Sequence, residues 1–306
     1  MNNYNLKKNR NQYALKYIVR HVTNTTLTRF KVCGEFLAFV ANKDCSKNKL
    51  YTGNYCGHRF CPFCSWRLAK KDSLKISVLM KYLEDEHKKD FIFLTLTAPN
   101  VVGEDLISEI NRFNLAFKNL VKRKDVLQIN KGYIRKLEIT YNKKVNTYHP
   151  HFHIVMAVNK TYFSGRTYIK QSKWLEMWRD VMDCQEITQV DVRRLKKSEA
   201  NKEISEIAKY SAKDTDMLVS QEVFDTFFKA LRGRQVITYN GLFKDANNLY
   251  KEKKLDKYKF VDNTEYVYFM LYRWGKGEYA ETERRELTQD ELKKFNKQLI
   301  DEVDID

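Results

Sequence analysis

Apolar residues recur along this chain with two periods, and the switches between them predict its elements. From Trp66 to about Lys89, Leu68, Ile76, Leu79, Met80 and Leu83 return at three- and four-residue spacings among charges, the stripe of a surface helix. The run Phe91–Thr97 is β-branched and aromatic and closes on Ala98-Pro99-Asn100, which predicts a strand. Helical spacing resumes over 103–123 through Leu106, Ile107, Ile110, Phe113, Phe117 and Leu120. Strands follow at about 131–142 and 148–158, and the short polar turn through Asn146 makes them antiparallel neighbours.

Beyond them the pattern predicts a helix at Trp174–Met182, a strand at Ile187–Leu195, and helices over 198–214 and 217–231. Strands at Val236–Tyr239 and Tyr266–Leu271 and a helix near Asp290–Ile300 complete the reading. This order predicts an α+β fold: a central antiparallel sheet with packed helices rather than a doubly wound one. Residues 1 to about 30 are polar and basic, with one amphipathic segment near Tyr13–Val22. Three regions are expected: 1–72, basic and cysteine-bearing; 73–232, the central sheet and its helices; and 233–306, packed on that domain or binding nucleic acid.

Composition narrows the function. The 306 residues are 43% hydrophobic, enough for a core, and no apolar run approaches the roughly 20 residues of a membrane span. The first ten residues lack the apolar stretch of a secretion signal, so a soluble, cytoplasmic protein is expected. With 56 Lys and Arg against 39 Asp and Glu, the net charge of +17 calls for a polyanionic partner. The surplus lies in scattered clusters in a chain that is 13% aromatic, which favours a DNA or RNA groove with stacking platforms.

Five of six cysteines precede residue 65. Cys61-Pro62-Phe63-Cys64 has the two-residue gap that lets both thiolates reach one tetrahedral ion, so a structural Zn2+ is expected there. Cys33 and Cys56 are the first choices to complete the set, with Cys45 or His58 as substitutes. In the strand at 148–158, His149, His151 and His153 share one face, because strand side chains alternate. Two neighbouring imidazoles on that face can grip a metal from one side and leave its other positions for carboxylate, water or substrate oxygen. Packing without metal is the plain alternative.

A second constellation lies at Glu206, Tyr210 and Lys213, which a continuous helix would align at i, i+4 and i+7. A carboxylate, a phenol and an ammonium in a row suit phosphoryl transfer through tyrosine. A solvated helix face is the plainer reading of the same spacing.

Together these stretches resemble the rolling-circle replication initiators of small bacterial plasmids, within the HUH endonuclease superfamily. The resemblance rests on Phe93-Leu94-Thr95-Leu96-Thr97, on His151-Phe152-His153, and on Tyr210-Ser211-Ala212-Lys213 with Glu206 four residues before the tyrosine. It takes in the cysteine knuckle running into Trp66-Arg67, and the tail Arg273-Trp274-Gly275-Lys276-Gly277 with Arg284-Arg285-Glu286-Leu287-Thr288. The resemblance implies a central antiparallel sheet bearing the metal site, with His151 and His153 holding Mg2+ or Mn2+. Glu138 is the preferred third ligand and His149 the competitor.

It also implies that Tyr210 attacks origin DNA to give a 5′-phosphotyrosine and a free 3′-OH, that Lys213 positions phosphate oxygens, and that Glu206 activates water when the cycle ends. Origin DNA, a host helicase and a DNA polymerase are the implied partners, and monomer and dimer both stay open. The zinc-bearing N-terminal region and the basic C-terminal third are both candidates for origin recognition. A mobilisation relaxase, a single-strand transposase and a zinc-binding repressor are the rival readings. The tyrosine's place after the histidines favours the initiator over a relaxase.

Overall fold

The computed structural model describes residues 1–195, 204, 207, 208, 212–296, 298–300 and 302. Along the described chain the strands are β1 (Phe36–Ala41), β2 (Asn48–Gly53), β3 (Lys89–Thr97), β4 (Gly132–Asn142), β5 (Thr147–Asn159), β6 (Val190–Arg194), β7 (Ile237–Gly241), β8 (Tyr268–Gly275) and β9 (Glu278–Glu286). They form two sheets, of order β2-β1-β8-β9 and β6-β3-β5-β4-β7, in which every pairing is antiparallel. The expected α+β class with antiparallel sheets and packed helices is what the chain adopts; the second, four-stranded sheet was not foreseen.

The chain divides into two compact units, one made of Met1–Lys71 with Lys259–Asp304 and the other centred on Asp72–Tyr258. In the second unit β5 is the middle strand and is buried along nearly its whole length. Its two faces differ in chemistry because its sequence alternates. Phe152 points to the helical side, where it meets Phe113 and Phe117 of the helix Leu106–Leu120 edge-to-face at 5.4 and 5.7 Å. Trp178 of the helix Gln171–Met182 joins this cluster and donates its indole N–H to the Thr97 carbonyl at 2.7 Å. Tyr148 meets Phe227 of the helix Gln221–Leu231. Each such ring buries a large apolar area on this face.

The opposite face carries His149, His151 and His153 at one end and Val155 and Ala157 at the other. Phe91, paired with Ala157, packs there on Phe243 of the helix Leu242–Lys251. Tyr239, on the same face, sits under the Lys75 ammonium at 5.2 Å. The histidine end is therefore the polar end of an otherwise apolar face.

In the first unit, Val40, Tyr266, Leu287 and Phe295 form a core cluster beneath the four-stranded sheet. The β8–β9 hairpin turns at Lys276 and Gly277, both at positive φ as a tight hairpin turn requires. The C-terminal helix starts one residue earlier than expected and ends at Phe295. Thr288 and Glu291 form a capping box at its start, and Asn296 is extended. Among the described residues no helix is long and apolar enough to cross a membrane.

The helix expected over 198–214 stops short. Ile204, Ile207 and Ala208 are helical and buried, but Ala212 pairs with Ile139 of β4 and Lys213 is extended at φ −65°, ψ 138°. Lys213 therefore does not continue a helical face. It is exposed, and its carbonyl accepts from the N–H groups of Asp216 and Met217.

Candidate metal centres and active site

The register of β4 against β5 puts Glu138 directly opposite His151 and Lys136 opposite His153. Cross-strand partners share a face, so Glu138 meets the histidine row. One Glu138 oxygen lies 3.2 Å from Nε2 of His153 and 3.5 Å from Nε2 of His151. The three ligand atoms all fall within 4.8 Å of one another. Two donors at right angles around an octahedral ion, each ~2.1 Å from it, are about 3 Å apart, so the group has the dimensions of a shared metal site. Two imidazoles and one carboxylate on one side leave the remaining positions for water and substrate oxygen.

The ring orientations are set from behind. His151 Nδ1 lies 3.2 Å from the His149 carbonyl, an acceptor only, so in the neutral ring Nδ1 carries the proton and Nε2 presents its lone pair to the site. His153 Nδ1 lies 3.2 Å from the Thr95 hydroxyl, and its ring stacks on Phe93 at 5.6 Å. Burial, the largest single influence on Glu138, would raise its pKa. Hydrogen bonds and charge that the imidazolium forms of His151 and His153 direct at it outweigh burial and hold the carboxyl far below its usual range.

His149 shares the face but sits one strand step away, its ring 5.3 Å from that of His151 and outside the Glu138 group. Burial, followed by the neighbouring His151, lowers its pKa. Thr95 was not singled out from the sequence, although it stands opposite His153 in the β3–β5 register. Replacing Thr95 with Val removes the oxygen and keeps the shape. Mn2+ affinity measured by calorimetry is expected to fall by about 10-fold or more, the scale on which such supporting hydrogen bonds act. Unchanged affinity would show that Phe93 alone orients the ring.

The second group is Cys33, Cys56, Cys61 and Cys64. Their sulfurs lie 3.4–3.7 Å apart where paired: Cys33 to Cys64 and Cys61, and Cys56 to Cys64. A tetrahedron with Zn–S ≈ 2.3 Å has an edge of about 3.8 Å, whereas a disulfide would need about 2 Å. Each sulfur also receives a backbone N–H: Cys56 to Cys33, His58 to Cys56, Cys64 to Cys61 and Gly57 to Cys64, all at 3.3–3.4 Å. Donors aimed at sulfur stabilise thiolate charge, which suits a cation's ligands. Gly34 and Gly57, each following a ligand cysteine, sit at φ +71° and +69° and let the backbone turn back over the sulfurs.

Of the substitutes, Cys45 lies in the turn between β1 and β2, its sulfur 3.8 Å from the Arg284 guanidinium. His58 accepts the Phe60 N–H at Nδ1, outside the cysteine group. Two further neighbours escaped the sequence reading. Asn11 donates to Cys61 Sγ at 3.2 Å and Lys8 to the Cys33 carbonyl at 2.7 Å. Tyr210 and Glu206 lie outside the described residues.

Residues 47–280 match the Rep_1 family, described as "Replication protein". A "Protein rep" of Staphylococcus aureus is 51% identical over 222 residues, covering 72% of this chain and 96% of its own length. Another from a Bacillus species is 36% identical over 242 residues, covering 70% and 77% respectively. A third, from Streptococcus pneumoniae serotype 2 (strain D39 / NCTC 7466), is 32% identical over 250 residues, covering 80% and 76%. No solved structure matches. With more than half of its length matched and relatives of this identity, the chain belongs to the Rep_1 family of replication proteins.

Proposed function

We propose that this replication protein is a rolling-circle initiator of plasmid DNA. It nicks one origin strand with Tyr210 and rejoins it after a round of synthesis. The observation that supports this most is the convergence of Glu138, His151 and His153 on one face of the central sheet. Ala212, two residues after Tyr210, pairs with Ile139, the neighbour of Glu138, which supports the same reading.

In this reading the Tyr210 oxygen attacks the scissile phosphorus, and the phosphorus–O3′ bond breaks. The phenolic proton leaves to base and the departing 3′ oxygen gains one, giving a 5′-phosphotyrosine and a free 3′-OH for a host polymerase. The ester conserves the energy of the broken link, so rejoining needs no nucleotide cofactor. Lys213 holds phosphate oxygens. Glu206 takes the proton from the water that releases the protein at termination. Mg2+ or Mn2+ held by Glu138, His151 and His153 would supply polarisation of the scissile phosphate. Zn2+ held by the four cysteines would have no open position and a structural role.

The test is cleavage of an end-labelled single-stranded origin hairpin with Mn2+ or Mg2+. Wild type is expected to form a covalent protein–DNA adduct and Tyr210→Phe none. Glu206→Ala is expected to form the adduct but release it slowly. Equal cleavage by wild type and Tyr210→Phe would move the nucleophile elsewhere. Tight binding with no cleavage by wild type would favour a repressor.

A further inference from the structure

The N-terminal helices carry the protein's most one-sided charge, and they rest on the cysteine group. Seven Lys or Arg and no Asp or Glu precede Glu35. The first helix, Asn2–Ile18, has an exposed polar stripe and a buried mixed one. Asn9, Tyr13, Lys16 and, just beyond its end, Arg20 follow one another at four- and three-residue steps and are exposed. Lys8, Asn11, Ala14 and Ile18 form the other stripe and are buried.

The buried stripe does two jobs at once. Lys8 reaches the carbonyls of Cys33 and Lys31, and Asn11 reaches the Cys61 sulfur and the Phe30 carbonyl. Phe30 and Lys31 end the second helix, Asn24–Lys31, so the Lys8 ammonium sits where that helix presents free carbonyls. Four thiolates around a divalent cation leave two negative charges, and a buried ammonium beside them offsets part of that excess.

We infer that the helix pair Asn2–Ile18 and Asn24–Lys31 is a docking surface for duplex DNA, fastened to the cysteine centre through Lys8 and Asn11. The inference rests on the reading that this replication protein acts at a DNA origin. Charge identifies the occupant: Lys16, Arg20, Arg29 and Lys31 are all exposed, and no acidic residue lies on either helix to repel phosphate. Exposed Tyr13 and half-buried Tyr17 add an aromatic pair, their hydroxyls 2.9 Å apart, with the Lys16 ammonium 4.8 Å over the Tyr13 ring. The 17-residue helix is about 25 Å long, enough to track a groove. The helix pair precedes residues 47–280, the span that matches the Rep_1 family.

The experiment compares wild-type full-length protein with a variant carrying Lys16→Gln, Arg20→Gln, Arg29→Gln and Lys31→Gln. Fluorescence anisotropy with a labelled duplex origin is read against KCl concentration, without Mg2+ or Mn2+. Four lost phosphate contacts predict a log–log salt slope shallower by about 3.6, and at least tenfold weaker binding near 0.1 M salt. Cleavage of a short single-stranded nick-site oligonucleotide should be unchanged. An unchanged slope and affinity would overturn the inference. So would equal loss of duplex binding and single-strand cleavage in a variant whose circular dichroism matches wild type, because the four side chains would then serve the nick site rather than a separate duplex surface. Should wild type bind duplex yet cleave nothing, the nicking reading fails while the slope still decides the docking surface.

Discussion

Replacing His151 and His153 together with alanine is expected to abolish high-affinity Mn2+ binding and to lower origin cleavage by about 10³-fold or more, the scale of losing a preorganised electrostatic stabiliser. Each imidazole supplies one Nε2 to the Glu138 side of the sheet, and neither His149 nor any other histidine stands close enough to substitute. Glu138 cannot hold the ion alone. Deprived of both partners, a buried carboxylate is left with burial as its main influence, which raises its pKa and favours the neutral, non-ligating form. Electron paramagnetic resonance of Mn2+ gives a readout independent of turnover. Retained single-strand DNA binding would show that the loss lies in the metal group rather than in folding. Cleavage within tenfold of wild type would remove this group from the chemistry.

That site was legible because strand geometry is local. Alternation put His151 and His153 on one face, and a short turn made β4 and β5 neighbours. Glu138 then needed only the register, which the buried Phe152 and Leu137 secure on the other face. The helix expected over 198–214 was only partly legible. Its buried Ile204, Ile207 and Ala208 follow the helical pattern, but the pairing of Ala212 with Ile139 is a tertiary event with no sequence signal. The first helix, Asn2–Ile18, was legible only as an amphipathic segment near Tyr13–Val22, for a chemical reason. Its buried stripe contains Lys8 and Asn11, which a hydrophobic pattern counts as surface, and only the sulfur cluster beneath makes their burial favourable.

Strands β1, β2 and β9 were missed for different reasons. β1 is an apolar run too short for periodicity to classify, and β2 is mostly polar. β9, Glu278–Glu286, is exposed at all but one position and is held by its ladder to β8 rather than by a face of its own.

Replacing Cys61 with serine is expected to reduce bound zinc from one ion per chain to none. Cys61 is fully buried and accepts from both the Cys64 N–H and the Asn11 amide, so it joins the knuckle to the first helix. Structural zinc sites couple on the order of 10 kcal/mol of binding to folding, more than the whole stability of many domains. Losing one ligand forfeits most of that. Lys8 and Asn11 are then left buried beside the knuckle without the metal–thiolate charge that favours their burial. Limited proteolysis should accordingly open sites within Met1–Lys71 while Asp72–Tyr258 resists, because the second unit has its own aromatic core around Phe152. Cys45→Ser is the matched control: the same atom is exchanged in a thiol outside the sulfur group, and zinc content should stay at one. Zinc retained by Cys61→Ser, or lost in Cys45→Ser, would reassign the ligand set.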